Sequence, residues 1–131
     1  MSDSQRYPAK FVAVMALARR RHGVSTVSTA DLYDLFLRLN NEFPRLMPRV
    51  SSRELFNRFL HGHLLGATEE VGMWFSIDST SGVSRLEISE EAASRNLEHV
   101  LTEYGQTFVR PLEAVAERFA ALVEARRTPA A

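Results

Sequence analysis

Apolar residues recur along this chain with two periods, one near 3.6 and one near 2, and the switches between them divide it into elements. From Pro8 the stretch PAKFVAVMALARRR predicts a helix to Arg21, with Phe11, Val12, Met15, Ala16 and Leu17 to bury. Gly23 is a suitable terminator. Residues 24–28 (VSTVS) alternate and are β-branched, which predicts a short strand. Ser28 or Thr29 then caps a second helix whose stripe is Leu32, Leu35, Phe36 and Leu39, with Tyr33 at its edge. That helix fades near Asn40 and Asn41. Residues 43–50 (FPRLMPRV) form a connection, because two prolines forbid a continuous helix.

Residues 51–65 (SSRELFNRFLHGHLL) are the stretch on which the sequence reading turns. Ser51 followed three residues later by Glu54 has the form of a capping box. Leu55, Phe56, Phe59, Leu60 and Leu64 share one helical face, and Arg53, Asn57, Arg58 and His61 share the other. Residues 67–72 are a short acidic link. Residues 73–78 (MWFSID) and 83–89 (VSRLEIS) alternate around a Ser/Thr/Gly turn, the pattern of a β-hairpin. Ser89 caps the last helical stretch, with Glu90 and Glu91 in its first turn. There Leu97, Leu101, Tyr104 and Phe108 follow one seam, and Leu112, Val115, Phe119 and Leu122 follow a second. The register slips between them near Pro111, so either one kinked helix or two helices joined near residues 107–110 is expected.

Helix, short strand, helix, helix and two-stranded hairpin is the order of a winged helix-turn-helix. The expected fold class is mainly α (α+β), with a two-stranded wing and a C-terminal helical extension. The expected division is a flexible tail at 1–7, the winged domain at 8–89, a dimerising helical extension at 90–127 and a frayed end at 128–131. The C-terminal seams either fold back onto the chain's own core or pair with a second copy, and their length favours pairing. In a winged helix the third helix enters the major groove, so Arg53, Asn57, Arg58 and His61 would read bases, while Arg45, Arg49, Ser52 and Arg85 would grip phosphates. Arg19, Arg20 and Arg21 suit either phosphate contact or the helix C-terminus, where cations complement the dipole.

At VSTVSTADLYDLFLRLNNEF followed by SSRELFNRFLHGHLLG, the chain resembles the C-terminal winged-helix domain of archaeal and eukaryotic origin-recognition initiators. There too a Val/Ser/Thr strand leads into a T-x-x-L/V-Y-x-x-Y/F helix, and a Ser-capped third helix ends in Leu-Gly. The resemblance spans about 65 residues and implies duplex DNA as partner. It departs at the near-neutral wing, where Arg85 is the one basic residue, and at the proline-rich turn. The ATPase module of those initiators is missing from the match, so initiator activity does not follow. Small dimeric winged-helix regulators are an equally close match in class.

Charge sharpens this picture. The net charge is zero, but residues 1–66 hold ten lysines or arginines against five acids, and residues 67–131 hold six against eleven. A basic front suits a polyanion. Zero cysteines exclude disulfides and thiolate metal sites. The polar first residues lack a signal-peptide core, and a cytoplasmic, non-membrane protein is expected. Gly62, Gly66 and Gly72 make no phosphate loop, and His61 and His63 do not face each other on a helix. No enzyme, cofactor or metal is expected. Three readings remain: a dimeric DNA-binding regulator; a winged helix used for protein contacts, as an assembly subunit or phage-encoded inhibitor; and a ligand-responsive regulator whose pocket is lined by Met73, Trp74, Tyr104 and Phe108.

Overall fold

The unbroken apolar run from Phe11 to Ala18 decides the architecture. A helix that is apolar on every side has no face to give to water, so it must be enclosed. The computed structural model describes residues 3–47, 49, 52–54, 56, 76–78 and 85–127. In it, α1 (Asp3–His22) is the central helix, and every residue from Phe11 to Ala18 is at most 1% exposed. It extends further toward the N-terminus than the sequence predicts, so residues 3–7 are helical rather than a loose tail. Pro8 lies in the second turn of α1, where it removes one backbone hydrogen bond. At the other end Gly23 takes φ 72°, and its N–H donates to the Arg19 carbonyl at 3.1 Å, a left-handed cap.

The remaining described elements are β1 (Thr26–Ser28), α2 (Thr29–Glu42), β2 (Ser76–Asp78), β3 (Arg85–Glu87), α3 (Glu90–Tyr104), the single turn α4 (Gln106–Val109) and α5 (Leu112–Arg127). The fold is α+β, mainly helical with a small antiparallel sheet. The strand order is β1-β3-β2, so β3 lies in the middle. Val27 faces Leu86 across one ladder and Ile77 faces Leu86 across the other. The Ile88 N–H donates to the Ser25 carbonyl at 2.8 Å and prolongs the first ladder. Leu86 and Ile88 are buried, whereas Arg85 and Glu87 are exposed, which is the alternation of a sheet covered on one face.

Helix α1 packs most extensively on α3 and α5. The C-terminal helices are therefore walls of the same core rather than an appendage to a winged domain. Phe36 of α2 meets Phe11 edge-on at 4.5 Å and stacks on Phe119 of α5 at 5.5 Å. Phe56 joins this cluster at 6.1 Å from Phe11 and 5.9 Å from Phe36. Arg53, Glu54 and Phe56 are helical, and the Phe56 N–H donates to the Ser52 carbonyl at 2.9 Å. The rest of the expected third helix, with its Ser51 cap, lies outside the described residues.

Ser89 caps α3 as its sequence position predicts, with Oγ accepting from the Ala92 N–H at 3.0 Å. The joint after α3 is broader than expected. It begins at Gly105 and runs through α4 to the turn at Arg110 and Pro111.

Candidate functional site

Arg53 is the best-defined member of the basic surface. Helix α2 presents Tyr33 and Asp34 side by side, and the first turn at residues 52–56 sets Arg53 above both. Its guanidinium carbon lies 4.7 Å from the Tyr33 ring centre, and its Nη2 lies 3.3 Å from Asp34 Oδ1. Tyr33 leans in turn on the buried Phe56 at 5.8 Å. The cation–π contact fixes the plane of the guanidinium. The Asp34 carboxylate takes one of its five N–H donors. Both partners are about half exposed, at 55% and 45% of the side chain.

The connection that leads to Arg53 is built by α2. The Phe43 N–H closes the helix on the Leu39 carbonyl at 2.8 Å, and Pro44 opens the turn. Asn40 Nδ2 donates to the Met47 carbonyl at 3.1 Å and holds the turn against its own helix, while the Met47 side chain enters the core. Arg45 and Arg49 are exposed along this connection, and Ser52 is half-buried. Arg85 is exposed at the start of β3, opposite Ser28 on one side and Asp78 on the other. Asn57, Arg58 and His61, expected to read bases, lie outside the described residues, as do Met73 and Trp74 of the expected ligand pocket.

The arginine cluster of α1 is paired within the chain, although Arg20 and Arg21 stay exposed. Arg19 Nε donates to the Ile88 carbonyl at 2.9 Å, and Arg19 and Arg20 both pair with Glu90 at 3.4 Å. Arg21 pairs with Glu113 at 2.9 Å. These cations tie the end of α1 to the first turns of α3 and α5. Of the two expectations for them, the helix-end role has acid partners in place.

The expected dimer seam is largely covered by the chain itself. Leu97, Leu112, Val115, Phe119 and Leu122 are buried in the core around α1. Leu101, Tyr104 and Phe108 are half-buried, and the last two stack at 4.8 Å. The reason is geometric: the break at residues 105–111 lets α3 and α5 each lie on α1, so their seams meet α1 before any second chain.

Two ion-pair clusters between α2 and α5 were not legible in the sequence. Arg118 Nε donates to Glu42 Oε1 at 2.8 Å, and Arg38 Nε donates to Glu42 Oε2 at 2.9 Å. Arg118, and then Arg38, hold the Glu42 carboxyl below its ordinary pKa, and Glu42 raises that of Arg118. Arg126 Nη1 meets Asp31 Oδ1 at 2.8 Å. Only the Arg38–Glu42 spacing of four residues was a signal the sequence offered.

Among the described residues no cluster of His, Asp and Glu could hold a metal, and no helix is long and apolar enough to cross a membrane. Set against known protein families, characterised proteins and solved structures, the chain matches none.

Proposed function

We propose that this chain is a winged helix-turn-helix protein that binds double-stranded DNA and acts as a transcriptional regulator. One observation carries the reading: the strand between the first two helices pairs with the second strand of the following hairpin, giving the order β1-β3-β2. In a winged helix this arrangement sets the hairpin beside the third helix, where the two bind one duplex. Arg53 at the opening of that helix, with Arg45 and Arg49 in the connection before it, supplies cations on that side. Arg58, Asn57 and His61 follow Arg53 in sequence as its partners in base reading. As a homodimer the protein would present two such helices to two half-sites. The half-buried Leu101, Tyr104 and Phe108 are the part of the seam left for a second copy.

The test is fluorescence anisotropy on random-sequence duplex at two salt concentrations. A Kd on the order of 1–100 μM that weakens steeply with salt is expected, as for phosphate neutralisation. Arg53→Ala combined with Arg58→Ala reduces the affinity. Unchanged binding by this variant would remove these residues from the interface.

A second reading, a winged helix used for protein contacts, has its own observation. Arg19, Arg20, Arg21 and Arg53 each carry an acid partner within the chain, so much of the basic front is neutralised internally. No duplex binding at low salt, together with a partner captured independently of salt, decides for it.

A further inference from the structure

A cleft of about 290 Å³ opens between the end of β1, the start of α2, the start of β3 and the last turns of α5. Its wall includes Leu35 and Val123, which are 1% and 5% exposed, and its polar lining includes Ser28, Asp31, Arg85 and Arg126. Among the described lining residues, two guanidinium groups stand against one carboxylate, an excess of positive charge in a concave, partly apolar setting. An apolar wall lowers the local dielectric and strengthens any ion pair made against it. Arg126 spends Nη1 on Asp31 at 2.8 Å, which leaves further donors of its planar fork. The register sets Arg85 opposite Ser28 on adjacent strands, so a cation and a hydroxyl come to the cleft together.

We propose that this cleft binds a phosphate group, with Arg85 and Arg126 as the cationic donors and Ser28 as a neutral one. The cleft exceeds a bare phosphate in volume, so the anion enters with water around it. Resting on the function proposed above, the phosphate belongs to the duplex backbone. Arg126 then brings α5 to the DNA, a part of the chain whose sequence pointed only to helix pairing. Asp31 is the internal anion that the phosphate displaces from Arg126.

The experiment has two arms, both on the full chain. Amide shifts are followed in a titration with inorganic phosphate against chloride of equal ionic strength, and duplex affinity is measured across a salt series. Phosphate is expected to shift amides of residues 26–31 and 85, with half-saturation rising at least about five-fold in Arg126→Gln and in Arg85→Gln. Asp31→Asn breaks the same ion pair as Arg126→Gln and yet tightens phosphate binding, which separates anion binding from loss of packing. In the duplex arm, Arg126→Gln lowers the slope of log affinity against log salt by about one. If phosphate shifts no cleft amides and the slope is unchanged while duplex still binds, the cleft assignment fails and the DNA reading stands. Phosphate shifts in a protein that binds no duplex leave the cleft as a site for free phosphate and overturn the DNA reading. Phosphate shifts with duplex binding of unchanged slope overturn Arg126 as a backbone contact.

Discussion

Arg53 is held between a ring that orients it and a carboxylate that competes for it. Asp34 lies within 3.3 Å of the group that would meet a phosphate, so it repels the same ligand that Arg53 attracts. Asp34→Asn is therefore expected to tighten duplex binding roughly two- to five-fold at low salt, the scale of one exposed charge pair. Anisotropy measures this directly, and weaker binding would show that Asp34 orients Arg53 rather than opposing its ligand. Glu42 gives a prediction in pH. Its folded carboxyl titrates below the ordinary value of 4.5, because Arg118 and Arg38 bind the charged form. A depressed carboxyl stabilises the fold above the unfolded value, and that stability is lost as pH falls through the folded value. The stability gap between wild type and Glu42→Gln is thus constant near neutrality and closes below about pH 4.5, as denaturant unfolding at several pH values will show. A gap constant down to pH 3 would mean that the ion pairs contribute nothing. At this scale the sequence revealed which side chains are exposed, since Arg53 follows from helical phase and Arg85 from strand alternation. It did not reveal their partners, because Asp34 and Arg53 sit on separate elements whose relative angle depends on the turn between them.

Element ends were the most legible feature, because capping is local chemistry. Gly23 and Ser89 act as the sequence predicts, and Ser89→Ala is expected to cost about 1 kcal/mol in chemical denaturation. Gly105 is the sharper structural requirement. It sits at φ 87° and ψ 169°, a region essentially reserved for glycine. A Cβ there would meet nothing within 4 Å, so the cost of Gly105→Ala is one of backbone strain, about 1–3 kcal/mol. A neutral effect would mean that the α3–α4 joint relaxes to another conformation. Pro111 drew attention to the C-terminal side of this joint, yet the chain already turns at Gly105. A helix can stop wherever glycine offers a positive φ, and proline only marks where it cannot resume. The strand was simpler: VSRLEIS alternates, and the structure shows Leu86 and Ile88 as its buried face.

At the level of the whole molecule, helical phase in residues 97–122 predicted two apolar seams without settling what would cover them. The covering element is α1, whose own run FVAVMALA is apolar around its full circumference and so demands neighbours on every side. That all-round character was present in the sequence and is the feature that favours fold-back over pairing for Leu97, Leu112, Val115, Phe119 and Leu122. It follows that residues 1–89 expressed without α3 and α5 lack two walls of the core. This fragment is expected to lose cooperative unfolding and dispersed amide shifts, whereas a cooperatively folded fragment would restore the division between winged domain and extension. The enclosed first helix also has a consequence for how the protein is made. Synthesis proceeds from the N-terminus at roughly 5–20 residues per second, so Phe11 to Ala18 emerge several seconds before α5, one of the helices that cover them. During that interval the most apolar segment of the chain still lacks part of its native cover. Completion of this core waits for α5, and until then the segment is open to a holdase that grips short hydrophobic segments.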